Sequence, residues 1–231
     1  MGSVFGKQTV AEPAYQVLYS TTQAAVPYEI RRYGQRFAVE TRYTSSGQEE
    51  NPFGLLAKYI GVFGTPQNEG SNAIDMTAPV VKQGEPVAIA MTAPVIKQGP
   101  TAIAMTAPVI KQEAKGDRMM QFILPDEYDR LDKIPKPTNP NVSIQSIPPA
   151  VGAVHRYSGS FADELADEKA KSLIEQLRKD GVQLDGTPSH QFWGFNPPFT
   201  LPFLRRNEVW IELKEEQVSH LVGDVNASRA N

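Results

Sequence analysis

Three histidines, His155, His190 and His220, and no cysteine make up the chain's stock of imidazole and thiolate metal ligands. The lack of thiols excludes disulfides, thiolate nucleophiles, zinc–sulfur sites and iron–sulfur clusters. The chain has no Gly-x-Ser-x-Gly elbow, phosphate-binding loop or dinucleotide fingerprint. Its carboxylates come in runs such as Asp163-Glu164 and Glu215-Glu216, the pattern of solvated faces. No catalytic residue and no metal-ligand set is expected, and the chain does not read as an enzyme.

The residues that could do chemistry are apolar. Phe192, Trp193, Phe195, Phe199, Phe203 and Trp210 fall within nineteen positions. Among them runs Asn196-Pro197-Pro198-Phe199-Thr200-Leu201-Pro202-Phe203, whose prolines exclude regular helix or sheet. Loops run over the surface, where contiguous apolar residues bind something. A second apolar element begins at Asn51-Pro52, a cap followed by proline at the first helical position. Phe53, Leu55, Leu56, Tyr59, Ile60, Val62 and Phe63 follow, with Lys58 the one charge. That is more apolar surface than a single core-facing stripe requires. Helix and loop could form the two lips of a cleft for a flat apolar ligand, with Lys58, Arg205 and Arg206 for its anionic groups.

The elements that must position these lips repeat. Sliding the chain on itself by 114 residues brings Tyr28, Ile30 and Tyr33 onto Val142, Ile144 and Ile147. Phe37, Val39 and Tyr43 fall on Val151, Ala153 and Tyr157, both sets at strand period. Leu56, Tyr59, Ile60 and Phe63 fall on Ala170, Leu173, Ile174 and Leu177, at helix period. Ser160 and Asp163 have the spacing of a capping box, and Gly181 is a stop signal. Closing strands follow at Met120, Phe122 and Leu124, and at Val209, Ile211 and Leu213. His155 lies in the apolar-facing register of its strand.

The pattern predicts an α+β fold. It would be a twisted antiparallel β-barrel built from a duplicated strand-strand-helix-strand-strand half, with two flanking helices. The halves cover about 26–125 and 140–214 of a single domain, 1–231, joined by a proline-rich connector and followed by a polar tail, 215–231. With 231 residues, 40% hydrophobic and 21% charged, the chain is long and apolar enough for one sizeable core. A net charge of -3 argues against a nucleic-acid partner. No apolar run approaches a membrane span, and the N-terminus lacks a secretory pattern, so a cytoplasmic location is expected.

A second repeat, Met-Thr-Ala-Pro-Val, occurs at 76–80, 91–95 and 105–109. Each proline blocks a ladder hydrogen bond, so each copy should mark a strand end, edge or bulge. The region 74–116 reads as a duplicated insert without chemistry of its own.

These motifs resemble the SOUL haem-binding protein family, above all its plant and algal cytosolic branch. The resemblance rests on Val26-Pro27-Tyr28-Glu29-Ile30-Arg31-Arg32-Tyr33, on the Ile-x-Met-Thr-Ala-Pro-Val segments, and on Asn196-Pro197-Pro198 through Arg205-Arg206-Asn207-Glu208-Val209-Trp210. It implies non-covalent binding of haem, or of protoporphyrin, by a carrier or buffer without turnover. It places the ligand between Phe53, Leu56, Ala57, Lys58 and Ile60 on the helix and Phe199, Leu201 and Phe203 on the loop, with Lys58 matching a residue that meets a propionate. Arg32 stands where one branch carries a ligating histidine, so axial ligation should be weak or absent. Two alternatives stay open: a small-molecule effector module of similar fold, and a protein-interaction domain using loop 196–203.

Long surface connections are entropically inexpensive, about 0.6 kcal/mol per doubling of length. Deleting residues 91–104, one repeat period, should therefore leave the thermal unfolding midpoint and haemin titration unchanged. A soluble deletion variant that no longer binds would place the site in the insert.

Overall fold

The computed structural model describes residues 11–43, 51–83, 118–160, 162–186, 188–196 and 200–229. The first half supplies β1 (Tyr15–Thr21), β2 (Tyr28–Tyr33), β3 (Arg36–Tyr43), α1 (Pro52–Ile60), β4 (Val80–Gln83) and β5 (Arg118–Ile123). The second supplies β6 (Ser143–Ile147), β7 (Ala150–Tyr157), α2 (Asp163–Lys179), β8 (Gln191–Gly194), β9 (Asn207–Leu213) and α3 (Glu215–Arg229). The nine described strands form one antiparallel sheet, ordered β1-β2-β7-β9-β8-β4-β5-β3-β6 and curled into a half-barrel.

The order carries the repeat. Exchanging β2, β3, β4 and β5 for β6, β7, β8 and β9 reverses the list from β2 to β6 and leaves it unchanged. A pseudo-two-fold axis therefore passes between the central strands β4 and β8. β3 and β7 differ by the expected 114 positions at both ends. Each half also lends the first strand of its repeat to the other, since β2 pairs with β7 and β6 with β3.

Strand period decides the faces. Phe37 and Val39 turn toward α1, in a cluster with Leu55, Leu56, Phe122 and Leu124. Val151, Ala153 and Tyr157 turn toward α2, in a cluster with Leu173, Leu177, Val209 and Ile211. Intervening residues such as Ala38, Val154 and Trp210 build a third cluster on the opposite face.

Local chemistry fixes the helix ends. The Asn51 side chain accepts from the Phe53 N–H, and Gly61 closes α1 at φ +91°. A Cβ at Gly61 would also lie 2.6 Å from the Pro66 ring, so only glycine fits. The extra apolar surface of α1 has a structural explanation. The connector between the halves wraps it, with Ile134 in its cluster and the Tyr59 hydroxyl donating to the Pro135 carbonyl at 2.7 Å. The buried Asn68 amide donates to the Tyr59 carbonyl.

Three details depart from the sequence reading. The capping box does not form: Ala162 is the N-cap of α2, Ser160 accepts from the Ala162 N–H, and Asp163 pairs instead with Lys82 and Arg118. Two cations draw its carboxylate away from the helix end. A third helix, α3, occupies the expected polar tail, because Val218 and Leu221 reach the α2 cluster. The additional edge strand β1 is largely exposed and has a register shift between Val17 and Tyr19, so it shows no clean alternation.

The first Met-Thr-Ala-Pro-Val copy belongs to the sheet. The Thr77 hydroxyl donates to the Ile123 carbonyl, and Val80 and Val81 enter β4 between β5 and β8. Pro79 immediately precedes the strand. The other two copies lie outside the described residues.

One ion network clamps the second half. The Glu208 carboxylate is fully buried; it accepts from Arg31 at 2.8 Å and from two nitrogens of Arg206 at 2.8 and 2.9 Å. Arg31 also donates to Glu29, and Arg206 to Glu12. Burial works against the charge on Arg31, and Glu208 more than restores it, so the guanidinium titrates above its ordinary range. Glu208→Ala should cost about 3–5 kcal/mol in urea unfolding, because it leaves two guanidiniums without their shared anion. A loss below about 1 kcal/mol would show that the network does not hold the fold.

Candidate functional site

The loop between β8 and β9 is held by its own chain. The Arg206 N–H donates to the Asn196 side chain, the Phe195 N–H to the Arg206 carbonyl, and Arg205 Nε to the Thr200 carbonyl. The Gly159 N–H donates to the Pro202 carbonyl, which docks the loop on the β7–α2 connection. A single 3-10 turn, Pro202–Leu204, then pushes apolar side chains outward. Phe203 is 71% exposed and Leu201 45%.

Beside this loop lies a cavity of about 750 Å3, within the size range of small-molecule sites. Its wall includes Phe203, Leu204, Tyr157, Arg156, Arg205 and Arg206. Three arginines against the single carboxylate of Glu12 make this lining positive. The Tyr157 hydroxyl is buried without a partner. Burial, reinforced by Asp163 and Asp167, pushes this phenol's pKa well above its ordinary value, so it keeps its proton and can donate. Apolar surface, positive charge and an unused donor suit an apolar ligand bearing carboxylates.

The helix lip is differently placed. Leu56, Ala57 and Ile60 are buried in the first-half core. Phe53 is partly exposed and packs edge-on against Phe122, with ring centroids 5.2 Å apart. Lys58 is half-buried, and its carbonyl accepts from Gly61 and Gln67. Phe199 lies outside the described residues. Arg156 and Tyr157 gave no signal in the sequence, because a strand-end arginine and a core-register tyrosine are ordinary there. Only the fold brings them to the loop.

The histidines are engaged elsewhere. His155 Nδ1 lies 2.7 Å from the Pro27 carbonyl oxygen, and its ring stacks on Tyr157. His190 meets Asp167, and His220 meets the Asp180 carbonyl. Among the described residues no group of three or more His, Asp or Glu could hold a metal ion. None of the described helices is long and apolar enough to cross a membrane.

The family model for the SOUL haem-binding proteins matches residues 10–212. The chain belongs to this family. Comparison with curated proteins finds no match. Among solved structures, the C-terminal domain of EcmrR is similar at TM-score 0.50 and 11% identity, over 82% of this chain and 98% of that one. EcmrR in a DNA complex aligns at 0.47 and 12%, over 80% and 56% of the two chains. A hydrolase encoded by lin2189 from Listeria innocua aligns at 0.47 and 10%, over 84% and 94%. At such identities the likeness is one of fold alone.

Burial holds the His155 pKa below its usual 6.5, the Pro27 bond opposing it only in part. The native state therefore keeps the ring neutral while the unfolded chain takes up a proton as pH falls through about 6.5. Stability should drop on acidification below that point. His155→Gln should flatten this part of the curve of urea midpoint against pH; an unchanged slope would assign the acid sensitivity to other groups.

Proposed function

We propose that the chain binds haem or a related tetrapyrrole such as protoporphyrin, non-covalently and without turnover, as a carrier or buffer. The observation that carries this reading is the family match across residues 10–212. The exposed apolar loop beside a positively lined cavity supports it.

A tetrapyrrole is a flat apolar ring with propionates on one edge. Phe203 and Leu201 offer the ring apolar contact, worth about 25 cal/mol per Å2 buried before the cost of association. Arg156 and Arg205 offer the propionates charge, and the Tyr157 hydroxyl a donor. When bound, haem supplies iron chemistry. The chain's own residues bury the ring, orient the carboxylates and leave the metal face to apolar contact. Phe53 and Lys58 on α1 remain the candidate second lip, together with Phe199.

Phe203 is the cleaner probe, since Phe53 also packs in the core. Phe203→Asp should weaken haemin binding about tenfold or more in a Soret titration, with the unfolding midpoint unchanged. Lys58→Ala should cost about threefold or less, because a single ion pair at a half-buried, solvent-reachable position contributes little. The reverse order would move the ring to the helix lip. Iron-free protoporphyrin should bind within about tenfold of haem, a difference of ~1.4 kcal/mol. A much larger preference for haem would reveal a protein ligand to iron. Absence of saturable haemin binding would overturn the reading.

A further inference from the structure

The sheet face turned away from the helices holds a second cavity of about 390 Å3. It touches both Gln145 on β6 and Trp210 on β9, strands five places apart. That is about 24 Å across a flat sheet, so the sheet curls around the cavity.

The pseudo-two-fold axis passes through this cavity, and its related walls have different chemistry. Val81 pairs with Trp193 and Gln83 with Gln191, so the axis relates Gln83 to Trp193. Glu40 pairs with Gln121 and Val154 with Trp210. Glu40 and Val154 are equivalents at the 114-residue offset, so Gln121 corresponds to Trp210. One wall is therefore aromatic where its counterpart carries amides and a carboxylate. The second half builds the same strands without Glu40 and Gln121, so the fold itself does not demand them.

The aromatic wall is tightly built. Trp193 and Trp210 stack with centroids 5.2 Å apart, and Tyr33 meets both edge-on. Gly152 makes room for it: a Cβ there would lie 2.5 Å from the Trp210 ring and 2.6 Å from the Ile211 carbonyl. On the polar wall, Glu40 is only 5% exposed and accepts from Gln121 at 2.8 Å, with Arg42 Nε at 3.4 Å. The Arg36 guanidinium lies 4.4 Å over the Tyr33 ring, and its Nε–H is buried without a partner. A buried carboxylate and an orphaned donor both weaken a fold relative to apolar packing.

We propose that this cavity binds a planar heteroaromatic molecule of the purine or pteridine class. Its ring lies against the tryptophan wall, a donor edge meets Glu40, and an acceptor meets Arg36 Nε. A carboxylate only accepts and a guanidinium only donates, so the ligand must offer both roles on its perimeter. A simple organic cation would satisfy Glu40 and Glu212, the exposed carboxylate that also lines the cavity, but leave Arg36 facing a like charge. A simple carboxylate would pair with Arg36 but face both glutamates. Amide-bearing heteroaromatic rings carry donor and acceptor side by side without net charge.

Trp193 and Trp210 are the chain's two tryptophans, so intrinsic tryptophan emission reads this cavity. Guanosine, with N–H donors beside a carbonyl acceptor, should change the emission of the full-length protein saturably, after correction for absorbance. Glu40→Gln should weaken that binding about tenfold or more, and so should Arg36→Lys, which keeps the charge but loses Nε. Haemin titrations of both variants should match wild type. Should Glu40→Gln fail to fold, Arg36→Lys carries the test alone. The proposal is overturned if guanosine produces no saturable change, if folded variants bind it as wild type does, or if benzamidine or benzoate binds more tightly. Retained guanosine binding with lost haemin binding would sink the tetrapyrrole reading and leave this one standing.

Discussion

The Glu208 carboxylate is the point on which the second half of the molecule turns. It has no exposed surface, and it holds Arg31 from β2 and Arg206 from the loop before its own strand. β2 and β9 are not neighbours; β7 lies between them. The ion pair therefore spans a strand and ties the lent strand of the first half to the last strand of the second. Through Arg206, whose guanidinium lies 3.8 Å from the centre of the Phe195 ring, the same carboxylate anchors the base of the exposed loop. Through Glu12 it reaches the chain ahead of β1. A charge this deep tolerates little displacement, because each partner that moves away leaves another uncompensated. The loop can thus present apolar residues to solvent and still have a rigid base.

The sheet divides its labour by face. On the helix side, two apolar clusters supply burial, and the pattern there is the plain alternation of Phe37, Val39 and Tyr43 or of Val151, Ala153 and Tyr157. On the other side, stability is given up in places. Glu40, Gln121 and Arg36 stand where aliphatic residues would pack, and Trp210 lies over a strand that only glycine keeps clear. Polar groups that cost stability, gathered around a hollow, are a mark of a surface shaped for something other than folding.

Most of the architecture was legible in the chain. The 114-residue offset located β2, β3, α1 and their partners, because strand and helix periods agreed in one register. What escaped had weak periodicity. β1 is exposed along most of its length and interrupted by a register shift, so no alternation marks it. In α3 only Val218, Leu221 and their neighbours break a polar run. The capping box failed for an electrostatic reason that only tertiary structure supplies, the approach of Lys82 and Arg118 to Asp163. The apolar character of loop and helix was equally plain, but composition could not say what covers them. For α1 the cover is the proline-rich connector; for Leu201 and Phe203 it is solvent. The polar wall around Arg36 and Glu40 was invisible, since its members are scattered across the chain and join only when the sheet curls.

The strand β4 is made from the first of three copies of a repeated segment. The sheet has one berth between β5 and β8, and the chain carries three near-identical occupants. Val80-Val81-Lys82-Gln83 recurs as Val95-Ile96-Lys97-Gln98 and as Val109-Ile110-Lys111-Gln112. Side chains scarcely distinguish them, since they differ by a methylene at one position. What distinguishes them is tether length. With the first copy seated, 19 residues (61–79) separate α1 from the berth and 34 (84–117) lead on to β5. Seating a later copy would lengthen the first tether and shorten the second. Gain or loss of a copy in the gene therefore alters the spacing around an unchanged strand, and the protein can drift in length while its sheet stays the same.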